Sequence, residues 1–414
     1  MNRYQEIVGK INYGLFLTVV ALLPFPQIAL RIACVLWIVA WALEGRWLSR
    51  PKSFRENPMA IPFILFGVWY AWQALSWFWA GDSGRWAWQM ERYLTFVLMV
   101  PVGIWGVNRH YHWRTAGKVL VWTCVLAIPL YVGIATLFYH HPELPQHIHW
   151  EKPWDYSHQT WFPFFADNIS RMKHRLFFSS VELFGMVLAA QLYKDRKWLA
   201  ALLILTMLTG ILLTGSRQII MTTTVLIAVG LLCEMPKPYR LRYGLGILLL
   251  GIVLGGGLLK LHPRMQNFDL SDITEMRQVE DDHDIRFNIW GTALQHPEDY
   301  LWYGLGAGQS KEYIRSKFEE IGFSFLGTQD FHPHNQYLEV LMEMGVFGLL
   351  FFLLAWVSIP LCAKESGRLT AILFLTVFAF NMFTDCMFAK FCGIGLWAVG
   401  LLFILLQSDA QRQE

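Results

Sequence analysis

The sequence predicts an all-α polytopic integral membrane protein of about twelve transmembrane helices, with a large outer loop between the ninth and tenth spans. Three observations carry that prediction. The 414 residues are 55% hydrophobic and only 16% charged, where an ordinary soluble domain carries roughly 25% charged residues. The 20 Trp, 15 Tyr and 30 Phe together equal all the charged side chains in number. Apolar stretches also recur along the whole chain, and twelve helices of about 20 residues would account for the apolar fraction. The same figures exclude a disordered chain and a disulfide-rich secreted scaffold.

In order, the apolar stretches run roughly 13–25, 28–43, 60–79, 92–107, 117–139, 177–193, 198–214, 219–234, 243–261, 340–361, 369–385 and 391–407. Pro24 and Pro26 divide the first two, which read as a tight hairpin or one broken element. No small-residue cleavage pattern follows the first stretch, so it reads as retained. Cys34, Cys124, Cys233, Cys362, Cys386 and Cys392 lie in or beside apolar stretches without a CxxC pair, which suits packing rather than a disulfide framework. The chain reads as a single membrane domain, 1–414.

Basic residues set the orientation. With the N-terminus inside, eighteen Lys and Arg fall on the inner side, among them Arg46, Lys52, Arg109, Arg114, Lys194 and Lys364. The short outer turns hold four: Arg85, Arg92, Arg217 and Lys390. Arg31 and Lys260 lie in spans and ten lie in two long outer segments, 140–176 and 262–339. Both termini are therefore expected in the cytoplasm. Eleven of the 13 histidines fall in or beside the outer segments, with Trp150, Trp154, Trp161 and several Phe in the first of them.

Four places look like chemistry. Arg217, in LTGSRQII, sits in a very short outer turn. An arginine there snorkels to the interface or contacts an anion such as phosphate. Asp284, Arg286 and Trp290, in DHDIRFNIW, follow at spacings of two and four, so on a helix Arg286 and Trp290 share a face. The neighbouring acidic run has no spacing that singles out a metal geometry. The glycines of YGLGAGQS lack the βαβ unit of a nucleotide site and read as a tight loop that approaches another element. Finally, His334 follows Pro333 at the start of an apolar helix. It is an interfacial capping residue or a general base, since a helix N-terminus favours neutral imidazole.

His334 and Asn335, then QYLEVLMEM, then Gly345 and Gly348 form an HN followed nine residues on by GxxG. With Arg217 in TGSR, Arg286 in an RxxxW setting with Trp290, and the GLGAG segment, the chain resembles the O-antigen ligase and polymerase superfamily of bacterial envelope glycosyltransferases. The likeness extends over about 60–405. The stretch from Arg175 to Glu182 also looks familiar, although it departs from the commoner small-residue and Pro-Asn form.

The resemblance implies a multi-pass protein of the bacterial inner membrane whose outer loops are periplasmic. It implies transfer of polysaccharide from an undecaprenyl-diphosphate-linked O-polysaccharide donor to a sugar hydroxyl of a lipid A–core acceptor. Arg217 and Arg286 would hold the diphosphate and His334 would be the essential base. Asn335, Asp284, Trp290, Arg175 and Glu182 would support them or touch substrate. No metal, no other cofactor and no nucleic acid are implied; membrane lipids are. Attack opposite the diphosphate would invert the anomeric carbon. Two other readings stand beside this one: a repeat-unit polymerase or protein O-oligosaccharyltransferase with the same chemistry, and a transporter of the same lipid. A transporter should show internal repeats and broken helices at mid-membrane, whereas the residues singled out gather on one face.

Overall fold

The computed structural model describes residues 3–140, 174–214, 216–236, 285–320 and 331–410, with isolated positions between 238 and 253. It is all α-helical with short 3-10 turns among the described residues. The helices are α1 (Arg3–Leu22), α2 (Gln27–Leu43), α3 (Ala60–Leu75), α4 (Ser83–Trp105), α5 (Trp113–His140), α6 (Arg175–Leu192), α7 (Lys197–Leu213), α8 (Arg217–Glu234), α9 (Ile285–Gln295), α10 (Ser310–Glu320), α11 (Gln336–Cys362), α12 (Glu365–Thr384) and α13 (Phe391–Ala410).

The expectation of about twelve spans is corrected to seven. Among the described residues seven helices are long and apolar enough to cross a membrane: Gln27–Leu48, Ala60–Phe78, Trp113–Ile134, Arg175–Leu192, Gln336–Cys362, Glu365–Thr384 and Phe391–Asp409. Each of the other expected spans fails for a physical reason or is not described. The stretch 13–25 is the end of α1, whose first half carries Arg3, Glu6 and Lys10. The stretch 92–107 is the end of α4, whose first half carries Arg85, Glu91 and Arg92. The stretches 198–214 and 219–234 give only the shorter apolar helices Lys197–Leu213 and Gln218–Glu234, below the ~20 residues that a hydrocarbon core of about 30 Å asks for. The stretch 243–261 lies, apart from isolated positions, outside the described residues. A loop placed between a ninth and a tenth span loses its position with that count. The 140–176 segment lies outside the described residues except at its ends.

Helix α13 is the axis of the bundle: 89% of its apolar window is buried, against α2, α4, α5, α6 and α12. Around it, aromatic rings interlock. Phe96 lies 4.5 Å from Trp397 and 4.9 Å from Phe388, and Trp356 stacks on Phe388 at 6.2 Å, centroid to centroid. Lipid tails are as apolar as leucine, so this close packing and interhelical hydrogen bonds, rather than expulsion of water, hold such helices together. One bond is donated by Asn12 on α1 to the Trp37 carbonyl on α2 at 3.0 Å, closing the two helices as a hairpin.

The ends of α13 mark two different ends of the bundle. At its C-terminal end Asp409 stands 3.5 Å from both Lys52 and Lys364, and Glu44 accepts from Asn108 at 2.9 Å. Arg46, Lys52 and Arg114 line a cavity of about 210 Å³ there. The N-terminal end, at Phe391, follows the turn that carries Asp385 and Lys390.

Candidate functional site

The site is built around the C-terminal end of α12, where five separated segments meet. Helix α11 arrives first. Asn335 caps it by accepting the Leu338 N–H at 3.0 Å, the interaction that makes Asn a preferred N-cap. The next residue, Gln336, is fully buried and ties this end to the turn after α12: its Oε1 accepts the Phe388 N–H at 2.8 Å, and its Nε2 donates to Glu339 at 2.7 Å. Tyr337 adds a hydrogen bond to the Ala379 carbonyl at 3.1 Å. These contacts set His334, just before the cap, against Asp385.

His334 is the single non-glycine residue with positive φ among the described residues, at 48°. Histidine is enriched in this left-handed region, yet the conformation is uncommon and collects at functional sites. His334 Nδ1 stands 3.6 Å from Asp385 Oδ1. The His334 N–H donates to His332 Nδ1 at 3.2 Å, and the two rings lie 3.9 Å apart. Asp385 also accepts the Cys386 N–H at 2.8 Å. His174, at the cap of α6, joins the same electrostatic cluster, which includes Lys311 and Lys390.

The cluster is charged unequally. Burial pushes the His332 and His174 imidazoles down to about 3, with neighbouring positive charge adding to the effect, so both are neutral. Burial alone would raise the Asp385 carboxyl. The adjacent His334, 3.6 Å away, and the surrounding imidazoles overcome it and hold the group well below the usual carboxylate range. The result is one carboxylate among three imidazoles. His332, His334 and Asp385 offer ligand atoms within 4.8 Å of one another, a set that could hold a metal ion.

The expected loop residues come to the same place in part. Trp290 on α9 donates to the Pro333 carbonyl at 2.7 Å and packs its ring 6.1 Å from Phe383, so it braces the turn that carries His334. Arg286 sits one helical turn before Trp290 on α9 and is half-buried. Arg217 opens α8, and the next residue, Gln218, donates to the Asn381 carbonyl on α12 at 2.9 Å. That bond places the α8 N-terminus one turn from Asp385; the Arg217 side chain lies outside the described residues, as does Asp284. Arg175 is the first residue of α6, beside His174. Glu182 is fully buried on the same helix, about 10 Å of helical rise further into the bundle, and so stands apart from the imidazoles.

The glycine loop meets α11 as a backbone-to-backbone contact. Gly345 interrupts α11 with φ 65° and ψ −172°. Across from it, Leu305 N–H donates to the Met342 carbonyl at 2.8 Å, Gly306 N–H to Glu343 at 2.9 Å, and Val346 N–H to Leu301 at 2.7 Å. A Cβ on Gly304 would overlap the Glu343 carbonyl, and one on Gly345 that of Trp302. The glycines of GLGAG and of GxxG are thus two halves of one joint.

Beside this joint lies a cavity of about 440 Å³ lined by Arg85, Trp88, Arg92, Lys311, Glu339 and Glu343, among others. That size is ordinary for a small-molecule site. Arg92 donates to the Ala389 carbonyl at 3.2 Å and to Gln89, and lies 4.5 Å over the Trp88 ring. Glu343 is buried and accepts from Gln89 at 3.1 Å and Ser310 at 2.7 Å. Lys311 and Glu339 connect this cavity to the imidazoles, since Lys311 acts electrostatically on both Glu339 and His332.

Sequence reading missed Asp385, His174, Arg92 and Lys311. For Asp385 a signal existed: a lone acid in the short turn FTDCMFAK between two apolar stretches, where an ionisable group is costly without a partner. No local signal separated His174 from its neighbouring histidines.

No curated protein matches the chain. Residues 201–353, from α7 to the middle of α11, match the family described as O-antigen ligase.

Proposed function

We propose that this protein is an O-antigen ligase: it moves a polysaccharide from undecaprenyl diphosphate to a sugar hydroxyl of lipid A–core at the periplasmic face of the inner membrane. The observation that carries the reading is His334 beside Asp385 at the end of a bundle whose α8 and the first part of α11 fall within the family match. Asp385 faces Nδ1 of His334 and steadies the imidazolium that forms, leaving Nε2 to take the proton from the acceptor hydroxyl. The hydroxyl oxygen bonds to the anomeric carbon as the bond from that carbon to the diphosphate oxygen breaks. The electron pair leaves with undecaprenyl diphosphate, and the anomeric configuration inverts.

Diphosphate leaves readily when its developing charge is met. Arg217 and Arg286 serve that purpose from α8 and α9, in surroundings where fixed charge counts for more than in water. Lys311 and Arg92 add positive charge on the side of the cavity. The chemistry needs no metal and no nucleotide sugar. The basic cluster of Arg46, Lys52 and Arg114 at the other end faces the cytoplasm, as the distribution of Lys and Arg favours.

The test uses His334→Ala and Arg286→Ala in a strain lacking its own ligase, with surface lipopolysaccharide displayed on a gel. Loss of the polysaccharide ladder at normal protein level is expected of both. A normal ladder in both would sink the assignment. Purified protein given lipid-linked glycan with core lipid or with repeat units separates ligation from polymerisation by product.

A further inference from the structure

The imidazoles and carboxylate at the end of α12 have a use beyond moving a proton. Two nitrogen ligands and one oxygen ligand converge from two segments, His332 and His334 before α11 and Asp385 after α12, with all three ligand atoms within 4.8 Å of one another. Imidazole with carboxylate is a donor set that favours zinc over magnesium or calcium, which prefer all-oxygen shells. One pair is already near: His334 Nδ1 and Asp385 Oδ1 are 3.6 Å apart, close to the ~3.3 Å that a tetrahedral shell requires at a Zn–N length of about 2.0–2.1 Å. Closing the remaining gap takes side-chain rotation; both histidines are half-buried.

A second observation points the same way. Nδ1 of His334 and Nδ1 of His174 are buried and have no hydrogen-bond partner among the described residues. Buried polar atoms without partners are costly and rare, and here one of them is aimed at a carboxylate just beyond hydrogen-bond reach.

We infer that His332, His334 and Asp385 form an inhibitory zinc site that switches glycan transfer off. The inhibitory part rests on the reading of His334 as base: a lone pair given to zinc is not available to a proton, and Asp385 cannot orient the ring while it is a ligand. Zinc and transfer are therefore mutually exclusive. Lys311 and Lys390 lie in the same field and oppose a second cation, so affinity falls short of an all-thiolate structural site. Micromolar binding is the level to expect.

The experiment uses the full chain purified in detergent, stripped of metal, and titrated with zinc chloride in competition with a chromophoric zinc chelator. One zinc ion per chain is expected. His332→Ala and Asp385→Asn should each weaken binding at least tenfold. His296→Ala, which removes an exposed imidazole paired with Glu298, should leave it unchanged, and millimolar magnesium should not compete. X-ray absorption at the zinc edge should show imidazole nitrogen and carboxylate oxygen without sulfur. Transfer should fall with the same midpoint as binding and return on adding chelator. No binding at 100-fold excess, or binding indifferent to both substitutions, overturns the site and leaves the role of His334 to be judged by His334→Ala alone. Binding that leaves transfer unchanged or raises it overturns the switch while the site stands.

Discussion

His334 Nδ1 lies 3.6 Å from Asp385 Oδ1, and the two residues come from opposite ends of a helical pair, one before α11 and the other after α12. The backbone of His334 lies in the left-handed region, at φ 48°. An imidazole so placed turns one nitrogen towards a carboxylate, just beyond hydrogen-bond reach.

Removing the imidazole should therefore cost most. His334→Ala should lower transfer by about 10²–10⁴-fold, the usual worth of a positioned base. Asp385→Asn keeps the shape but not the charge, and should lower kcat more than it changes KM for donor. Transfer of lipid-linked glycan by purified protein checks both. Equal activity of Asp385→Asn and the unmodified chain would count against the pair.

Gln336 and Trp290 should act through position alone. Gln336→Ala leaves the buried Phe388 N–H without its acceptor, a loss of about 1–3 kcal/mol. Trp290→Phe loses the bond to the Pro333 carbonyl, worth about 1 kcal/mol. Each should reduce kcat several-fold with a smaller change in the pH profile than Asp385→Asn produces. Thermal denaturation followed by tryptophan fluorescence should show the larger loss of stability in Gln336→Ala.

The joint between the glycine loop and α11 should tolerate no side chain. Gly345→Ala or Gly304→Ala forces a left-handed backbone at φ 65° or 78° and drives a Cβ into a carbonyl on the other side. The backbone term alone is about 1–2 kcal/mol, and the overlap adds to it. Lower yield of folded protein and a lower Tm are expected, whereas Gly246→Ala, with open space around its Cβ position, should behave as the unmodified chain.

Stability should fall in mild acid. His332 and His174 titrate near 6.5 when unfolded and near 3 when folded, so between those values the unfolded chain binds more protons and unfolding becomes easier as pH drops. Asp385, held below its ordinary 3.8, contributes stability above that value and loses it as pH falls through the folded pKa. The decline should begin near pH 6.5, and His332→Asn should flatten it between pH 6.5 and 4. A Tm independent of pH over that range would contradict the buried neutral imidazoles.

Some of this was legible from local patterns. The apolar stretches of α2, α3, α5, α6, α11, α12 and α13 meet the length that a bilayer asks for, and seven of the expected spans stand. The stretches at 13–25 and 92–107 misled because hydropathy over a short window ignores the charged half of the same helix. Likewise Pro333 announced a helix start, although the cap is Asn335 rather than His334, and the glycines announced a close backbone approach, because helix starts and glycine conformations are properties of a few consecutive residues.

The sequence by itself determined the solvent and the secondary structure: scarce charge and long apolar runs leave the chain no alternative to helices packed in a membrane, since backbone groups there must be satisfied within each segment. The tertiary structure alone decided which histidine faces a carboxylate, because Asp385 meets His334 only when Gln336 binds the Phe388 N–H and α11 packs on α12. Pairing across that distance is written in the shapes of many side chains at once, and no window of sequence contains it.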